Sequence, residues 1–562
     1  MIQSSKRNVR ALVNIAKQKG IKHIIFSPGS RNAPLVIGFT ADTDFNCISI
    51  PDERSAGFIA LGIAQATNTM TMVCCTSGSA TVNYYPAVVE AFYQRIPLVV
   101  VSADRPKEWV DQADGQTIRQ ENVFANHIHY QANLINDTTG EQSMHYAERV
   151  INEALNEAWF NPGPVHINIP FSEPLYTTLP EEAELEHWRN IRAVPCSQHP
   201  TNEWDELVLT WNQSKKKMIL VGQLPPDHGM EEYLNTLADD PGTLIFTEST
   251  SNVHVKNAIV GIDRVVNTVS HEHWRHLKAD ILLTIGEAVV SKKIKAMLRE
   301  NRPAAHWHVA LRHPHPDTYQ SLTVSVIAKP KSFISFLAEH AVLTDGEYGL
   351  RWVALDQSRD SMHEEFLETA PWSDLRVFHH ILPAIPQDAV LHIANSSPIR
   401  YIQLFKEGRH VPHYCNRGAS GIDGCSSTAV GYAMASERIS VLITGDIAFL
   451  YDSNAFLNRN VPQNLRVIVL NNGGGNIFRI ISGPDRTNVM DEFFEAAQPA
   501  NISGIAETFG LDYILIENED DLVAALPEFF NEEGAATIME IRTPRDENPI
   551  ILENYFKYLR NG

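Results

Sequence analysis

Two apolar runs near the C-terminal end set the strictest limit on the fold. Residues 439–444 and 467–470 are almost entirely aliphatic, and each run stops abruptly in a polar tip. The first tip is Gly445-Asp446 and the second is Asn471-Asn472-Gly473-Gly474-Gly475. Short apolar runs ending in Gly, Asn and Asp read as buried parallel strands with loops at their carboxyl ends. Ligands of open α/β sheets sit at that edge. An Asp and an Asn on neighbouring tips supply hard oxygen ligands, which suit Mg²⁺, and Mg²⁺ takes phosphate oxygens for much of its remaining shell. The stretch 443–478 therefore reads as a Mg²⁺–diphosphate site, although two ordinary turns after core strands use the same residues.

The strand–helix alternation runs through the whole chain. In the first unit the pattern predicts a helix over 4–19 and strands over 23–27, 46–50, 72–76, 98–102 and 165–169. Helices over 55–66 and 81–94 alternate with them, and a long polar loop covers 108–121. Residues 181–210, acidic and aromatic with weak periodicity, read as a connector. A second unit carries strands over 217–221, 244–247, 281–285 and 306–309. A third opens with helices around 350–382 and holds strands over 390–394, 440–444, 466–470, 513–516 and 537–541. The expected fold is α/β, with domains at 1–180, 190–345 and 350–562, each a mostly parallel sheet with helices on both faces. The first and third units share one rhythm.

Composition narrows the functional classes. A net charge of −21 argues against broad nucleic-acid binding and against an anionic membrane surface. An anionic ligand would need a local basic pocket. No stretch approaches the roughly 20 apolar residues that cross a bilayer, and the N-terminus lacks an apolar signal core. Cysteines 47, 74, 75, 196, 415 and 425 form no CxxC or zinc pattern and read as reduced residues of a cytoplasmic protein.

Three further features point to chemistry. Glu53 stands in a turn between a strand and a helix of small residues, where a helix-start acid is also favoured by the macrodipole. Residues 416–432 form a Gly/Ser-rich loop running into a small-residue helix, which lets a cofactor approach the backbone, though its spacing fits neither a P-loop nor GxGxxG. Arg31, Arg105, Arg400 and Arg417 stand near strand ends or in that loop. Each alone is an ordinary surface cation; together, in an acidic chain, they point to a ligand with several carboxylates.

These residues resemble the thiamine-diphosphate enzymes. Gly445-Asp446 with Asn472 in NNGGG is similar to that superfamily's signature, and Glu53 resembles its cofactor-activating glutamate. SPGSRNAPL (27–35), DERSAGFIALG (52–62), TSGSATVNYYPAVVEA (76–91), SADRP (102–106), GQTIRQ (115–120) and NRGASGIDG (416–424) resemble the 2-succinyl-5-enolpyruvyl-6-hydroxy-3-cyclohexene-1-carboxylate synthase family of menaquinone biosynthesis. The motifs cover the first and third units; the central unit matches mainly in architecture. Ile447 replaces the last Gly of the superfamily's GDG, and Lys292-Lys293 stands where a Lys-Arg pair is usual.

The resemblance implies a cofactor and a reaction. Thiamine diphosphate would be held through Mg²⁺, for which Mn²⁺ can substitute, by Asp446, Asn472 and the Gly474 carbonyl. Glu53 would drive proton transfer on the cofactor's aminopyrimidine, with its pKa raised by desolvation. Gly421 and Ile422 would bear on the cofactor, Ile422 propping it in a bent form. The implied reaction decarboxylates 2-oxoglutarate and adds the succinyl-semialdehyde carbanion to isochorismate by conjugate addition. Ser30, Arg31, Arg105, Gln116, Lys292, Ser396, Arg400 and Arg417 are the implied substrate contacts, Gln116 with a catalytic share, and Ile477 and Phe478 would wall the reacting carbon. Glu53 and the metal site would meet only between subunits, giving an obligate homodimer or a tetramer. The alternatives are another thiamine-dependent 2-oxo acid enzyme, such as an acetolactate synthase or a decarboxylase, and a non-catalytic ligand-binding relative.

Overall fold

The computed structural model describes residues 3–136, 140–180, 186–193, 200–226, 228–311, 316–481, 483, 487–495, 497, 501–531 and 534–561. Three parallel sheets organise them. The first contains β1 (His23–Phe26), β2 (Asn46–Ser49), β3 (Thr71–Cys75), β4 (Leu98–Asp104), β5 (Tyr130–Asn133) and β6 (Val165–Pro170), in the order β2-β1-β3-β4-β6-β5. The second contains β7 (Lys217–Val221), β8 (Thr243–Thr247), β9 (Ile281–Ile285), β10 (Ala305–Ala310) and β11 (Val324–Ile327), in the order β11-β10-β9-β7-β8. The third contains β12 (Val390–Ile393), β13 (His413–Tyr414), β14 (Ser440–Gly445), β15 (Leu465–Asn471), β16 (Asp512–Ile516) and β17 (Thr537–Arg542), in the order β13-β12-β14-β15-β17-β16. Counted within each sheet, the first and third orders are identical, so the shared rhythm in the sequence is a shared topology. Helices cover the sheet faces, which is why the central strands are buried throughout and read as unbroken apolar runs.

Both sequence tips leave adjacent strands in register. Gly445 pairs with Leu470 on β15, and Asn471 pairs with Arg542 on β17. In the first and third sheets the chain reverses its winding between the first and third strands, β1/β3 and β12/β14, and loops at these switch points form open crevices.

Three sequence expectations need correction. The supposed connector contains a helix, Asn202–Gln213, which buries Trp204, Val208 and Trp211 at helical spacing. Trp211 lies 6.3 Å from Trp307 of β10, ring centre to ring centre. The helix expected over 81–94 is two helices, Ser79–Asn83 and Tyr85–Gln94, with Pro86 in the first turn of the second. Strands β5, β11 and β13 escaped the sequence reading because all three are short edge strands, and β5 and β11 are only partly buried.

The first and third sheets share one hydrophobic core, running from Ile25 and Val73 to Leu442 and Val467. Its seam is the crossing of helix Glu53–Thr67 on helix Cys425–Met434. A Cβ on Gly62 would lie 2.0 Å from the Thr428 carbonyl oxygen, and one on Gly431 would lie 2.1 Å from that of Ile59. Only glycine permits backbones this close. Five cysteines are free, with Cys74, Cys75, Cys415 and Cys425 buried and Cys47 half-buried; Cys196 lies outside the described residues. Among the described residues no helix is long and apolar enough to cross a membrane.

Candidate active site

Asp446 opens helix Asp446–Tyr451 directly after β14 and is buried. Its Oδ1 accepts the Ile447 N–H at 2.8 Å, while Oδ2 is buried with no hydrogen-bond partner. Burial pushes this carboxyl up to about 7, against the downward pull of the Ile447, Gly474 and Gly473 N–H groups. On the neighbouring tip, Gly473 (φ 79°) and Gly474 (φ 140°) occupy conformations open to glycine, and the Gly474 carbonyl accepts the Asn476 N–H at 2.8 Å. Asn472 is buried and donates from Nδ2 to Asp374 Oδ2 at 2.9 Å, which leaves its Oδ1 as the acceptor toward the tip. Asp374 also accepts from Thr543 Oγ1 at 2.6 Å and Asn548 Nδ2 at 3.2 Å. An orphaned carboxylate oxygen, an oriented amide oxygen and a carbonyl make a hard-oxygen set that fits Mg²⁺.

The Gly/Ser-rich loop is tied to the tip that follows β12. Asn395, just beyond β12, donates to the Asn416 carbonyl at 2.6 Å and the Gly421 carbonyl at 2.7 Å. Ile422 packs on Ala394, Cys425 and Ala448, the last two residues beyond Asp446. Ser396, on the same tip as Asn395, holds φ 76°, an uncommon conformation for serine. Ile477 and Phe478 begin the short helix Ile477–Ile480, neither of them fully buried.

The arginines fall into two pairs. Arg31 is buried, with Nη1 on the Phe171 carbonyl at 3.0 Å and 3.2 Å from Glu173 Oε1. Arg105 donates from Nη2 to the Gly115 carbonyl at 2.9 Å, and its Nε is 3.5 Å from Asp114 Oδ2. Ser30 and Gln116 are exposed nearby in the chain, and the Gln116 backbone lies against Gly78. Gln120, which the sequence reading passed over, anchors this loop by accepting the Gly78 N–H at 2.9 Å.

On the third sheet, Arg400 and Arg417 are less neutralised. Arg417 Nη1 donates to Asn395 Oδ1 at 2.8 Å, and the Nε atoms of both arginines are buried without partners. Burial lowers the Arg400 pKa, Asp263 opposes this, and the charge of Arg417 adds to it. Lys292 is exposed at the start of helix Lys292–Glu300. One turn on, the half-buried Lys295 shares a cavity of about 230 Å³ with Arg417 and Gly418. Burial lowers the Lys295 pKa, Glu248 opposes this, and Arg417, Arg299 and Arg400 reinforce it. The i, i+3 spacing from Lys292 was the available signal for Lys295.

Glu53 belongs to the other edge. Asp52 caps its helix, accepting the N–H groups of Arg54 at 2.9 Å and Ser55 at 3.3 Å. Asp52 Oδ2 also accepts from Asn454 Nδ2 at 2.7 Å, and Arg54 donates to the Tyr451 carbonyl at 2.8 Å. Glu53 lies between them, half-buried. Burial pushes its carboxyl up, its own N–H pulls it down, and Asp52 adds a second upward push. Among the described residues of one chain, no hydrogen bond or ion pair joins its carboxylate to Asp446, Asn472 or the Gly/Ser-rich loop.

Comparison with known proteins places this chain among relatives. Residues 7–129 match the family model described as "Thiamine pyrophosphate enzyme, N-terminal TPP binding domain". Residues 182–393 match "Middle domain of thiamine pyrophosphate" and 400–540 match "Thiamine pyrophosphate enzyme, C-terminal TPP binding domain". The chain is similar to proteins named 2-succinyl-5-enolpyruvyl-6-hydroxy-3-cyclohexene-1-carboxylate synthase. The one from Flavobacterium johnsoniae is 41% identical over 551 residues, covering 98% of each chain. That from Flavobacterium psychrophilum is 42% identical over 550 residues, also covering 98% of each. That from Porphyromonas gingivalis is 39% identical over 567 residues, covering 99% of this chain and 98% of its own.

Proposed function

From the premise that this chain belongs to the thiamine pyrophosphate enzymes, in the 2-succinyl-5-enolpyruvyl-6-hydroxy-3-cyclohexene-1-carboxylate synthase family, we propose that it joins 2-oxoglutarate to isochorismate with loss of CO₂. The product is 2-succinyl-5-enolpyruvyl-6-hydroxy-3-cyclohexene-1-carboxylate, and the reaction serves menaquinone biosynthesis. The observation that carries the substrate assignment is the Arg400–Arg417 pair: two guanidiniums in each other's field, whose buried Nε atoms, like those of Arg31 and Arg105, lack a hydrogen-bond partner. A ligand rich in carboxylates supplies the missing acceptors.

Asp446, Asn472 and the Gly474 carbonyl would hold Mg²⁺ or Mn²⁺ against the diphosphate. Thiamine diphosphate, when bound, supplies the carbon nucleophile and the electron sink. Glu53 would hold and return a proton at the aminopyrimidine, and its burial, which raises its pKa, favours the protonated carboxyl that this role uses. Gly421 and Ile422 would form the wall against which the cofactor packs. Arg400, Arg417 and Lys292 receive substrate carboxylates from the third and central domains. Arg31, Arg105, Gln116 and Ser30 do so from the first domain, with Ser396 adding a hydrogen bond and Ile477 and Phe478 shielding the reacting carbon from water. The reading that joins Glu53 to the metal cradle puts them together between two copies of the chain, in a dimer or a pair of dimers. The free cysteines fit a cytoplasmic enzyme.

The test is a competition assay with isochorismate, cofactor and Mg²⁺, offering 2-oxoglutarate and pyruvate in equal amounts and reading product masses. The expected product carries the four-carbon succinyl unit. A product built from pyruvate, or acetolactate, contradicts the assignment.

A further inference from the structure

The loop that carries Arg417 is held by residues of all three domains. Glu90, on helix Tyr85–Gln94 of the first domain, is buried at 2% exposure. Its Oε1 accepts the Gly418 N–H at 2.7 Å and its Oε2 accepts the Ala419 N–H at 2.6 Å. A Cβ on Gly418 would stand 2.7 Å from the Glu90 carbonyl oxygen, so that glycine lets the two domains meet. Gln94, one turn along the same helix, donates to Glu90 Oε1. Gln223, beyond the end of β7 in the central domain, donates to Gln94 Oε1 at 3.2 Å and to the Cys415 carbonyl at 2.9 Å. The Arg417 backbone is thus fixed on both sides, from Cys415 by the central domain and from Gly418-Ala419 by the first. Its guanidinium is then aimed by Asn395.

We propose that Glu90 is a positioning residue for Arg417, and that the central domain acts on the substrate-binding loop through Gln223 and Gln94. The inference rests on the reading of Arg417 as a substrate contact. Two parallel N–H donors meet the two oxygens of one carboxylate, an arrangement only an ionised acid completes. An amide at this position would put its own N–H₂ against a donor.

The test is Glu90→Gln, with Gln223→Ala as a second variant that leaves the buried carboxylate in place. Hydrogen–deuterium exchange by mass spectrometry reads the segment 415–421, and steady-state kinetics read the substrates. In Glu90→Gln, exchange of the segment should quicken at least tenfold. KM for 2-oxoglutarate or isochorismate should rise about 10- to 100-fold, as misplacement of a positioning group predicts, with kcat within threefold. Gln223→Ala should move both readouts in the same direction by less. Unchanged exchange overturns the proposal, and so does faster exchange with unchanged KM or with a fall confined to kcat. The exchange readout does not depend on turnover. Failure of the assigned reaction therefore shows separately, as an inactive wild-type chain that still differs from the variant in exchange.

Discussion

Asn472 donates its Nδ2 hydrogen to Asp374 Oδ2 at 2.9 Å, and this bond decides which end of the amide faces the tip beside Asp446. A metal ligand is set by the group behind it as much as by its own oxygen. Asp374→Asn removes the obligatory acceptor and lets the Asn472 amide turn over. Mg²⁺ affinity, read by calorimetric titration in the presence of thiamine diphosphate, should fall about 10- to 100-fold. Unchanged affinity would mean that Asn472 is oriented by other contacts.

Glu53→Gln keeps the size of the side chain and removes its proton chemistry. Turnover should drop by about 10²- to 10⁴-fold while the cofactor still binds. Asp446→Asn should instead lose metal-dependent cofactor binding. Co-refolding the two variants should restore about a quarter of wild-type activity: half of randomly paired dimers are mixed, each with one intact site. No recovery would mean that Glu53 and Asp446 do not meet across two copies.

The crossing of the two small-residue helices has no room for a methyl group. Gly62→Ala drives a Cβ into the Thr428 carbonyl and should cost about 1–3 kcal/mol or more in urea unfolding. Gly140 has open space around it and φ −83°. Gly140→Ala should stay within about 0.5 kcal/mol of wild type.

Lys217 and Asp240 form a buried ion pair at 2.8 Å in the central domain. Burial pushes the Asp240 carboxyl up, but Lys217, Thr344 and Thr243 outweigh it and hold the pKa at about 2. The folded value lies below the unfolded one of about 3.9, so this stabilisation is complete above pH ~4 and is lost as pH falls toward 2. Asp240→Asn leaves Lys217 buried and unpaired, and should destabilise by about 3–5 kcal/mol at neutral pH. The gap from wild type, measured by urea unfolding, should narrow as pH falls below ~4.

What could be read from the sequence follows from which contacts are local. The tips at Asp446 and Asn472 were legible because buried parallel strands read as unbroken apolar runs punctuated by Gly, Asn and Asp. Asp374 was not: it lies 98 positions from Asn472, and a first-turn acid after Ser373 looks like any helix start. Glu90 left a faint mark, an acid inside the apolar run Val88-Val89-Glu90-Ala91, but its partners lie 328 and 329 positions away. Lys295 was hidden because Lys292 and Lys293 offer the same charge two and three residues earlier, and only burial separates them. The helix Asn202–Gln213 was missed because its buried stripe is three widely spaced residues, two of them tryptophans, in an otherwise polar segment.

The assigned chemistry couples loss of CO₂ to capture by a second substrate, so the most direct measurement is the rate of CO₂ release from 2-oxoglutarate with and without isochorismate. With thiamine diphosphate and Mg²⁺ present, release should depend on isochorismate and match the product formed one to one. Omitting cofactor or metal should abolish it. Sustained release at the same rate without isochorismate, or no release with all components present, would contradict the account.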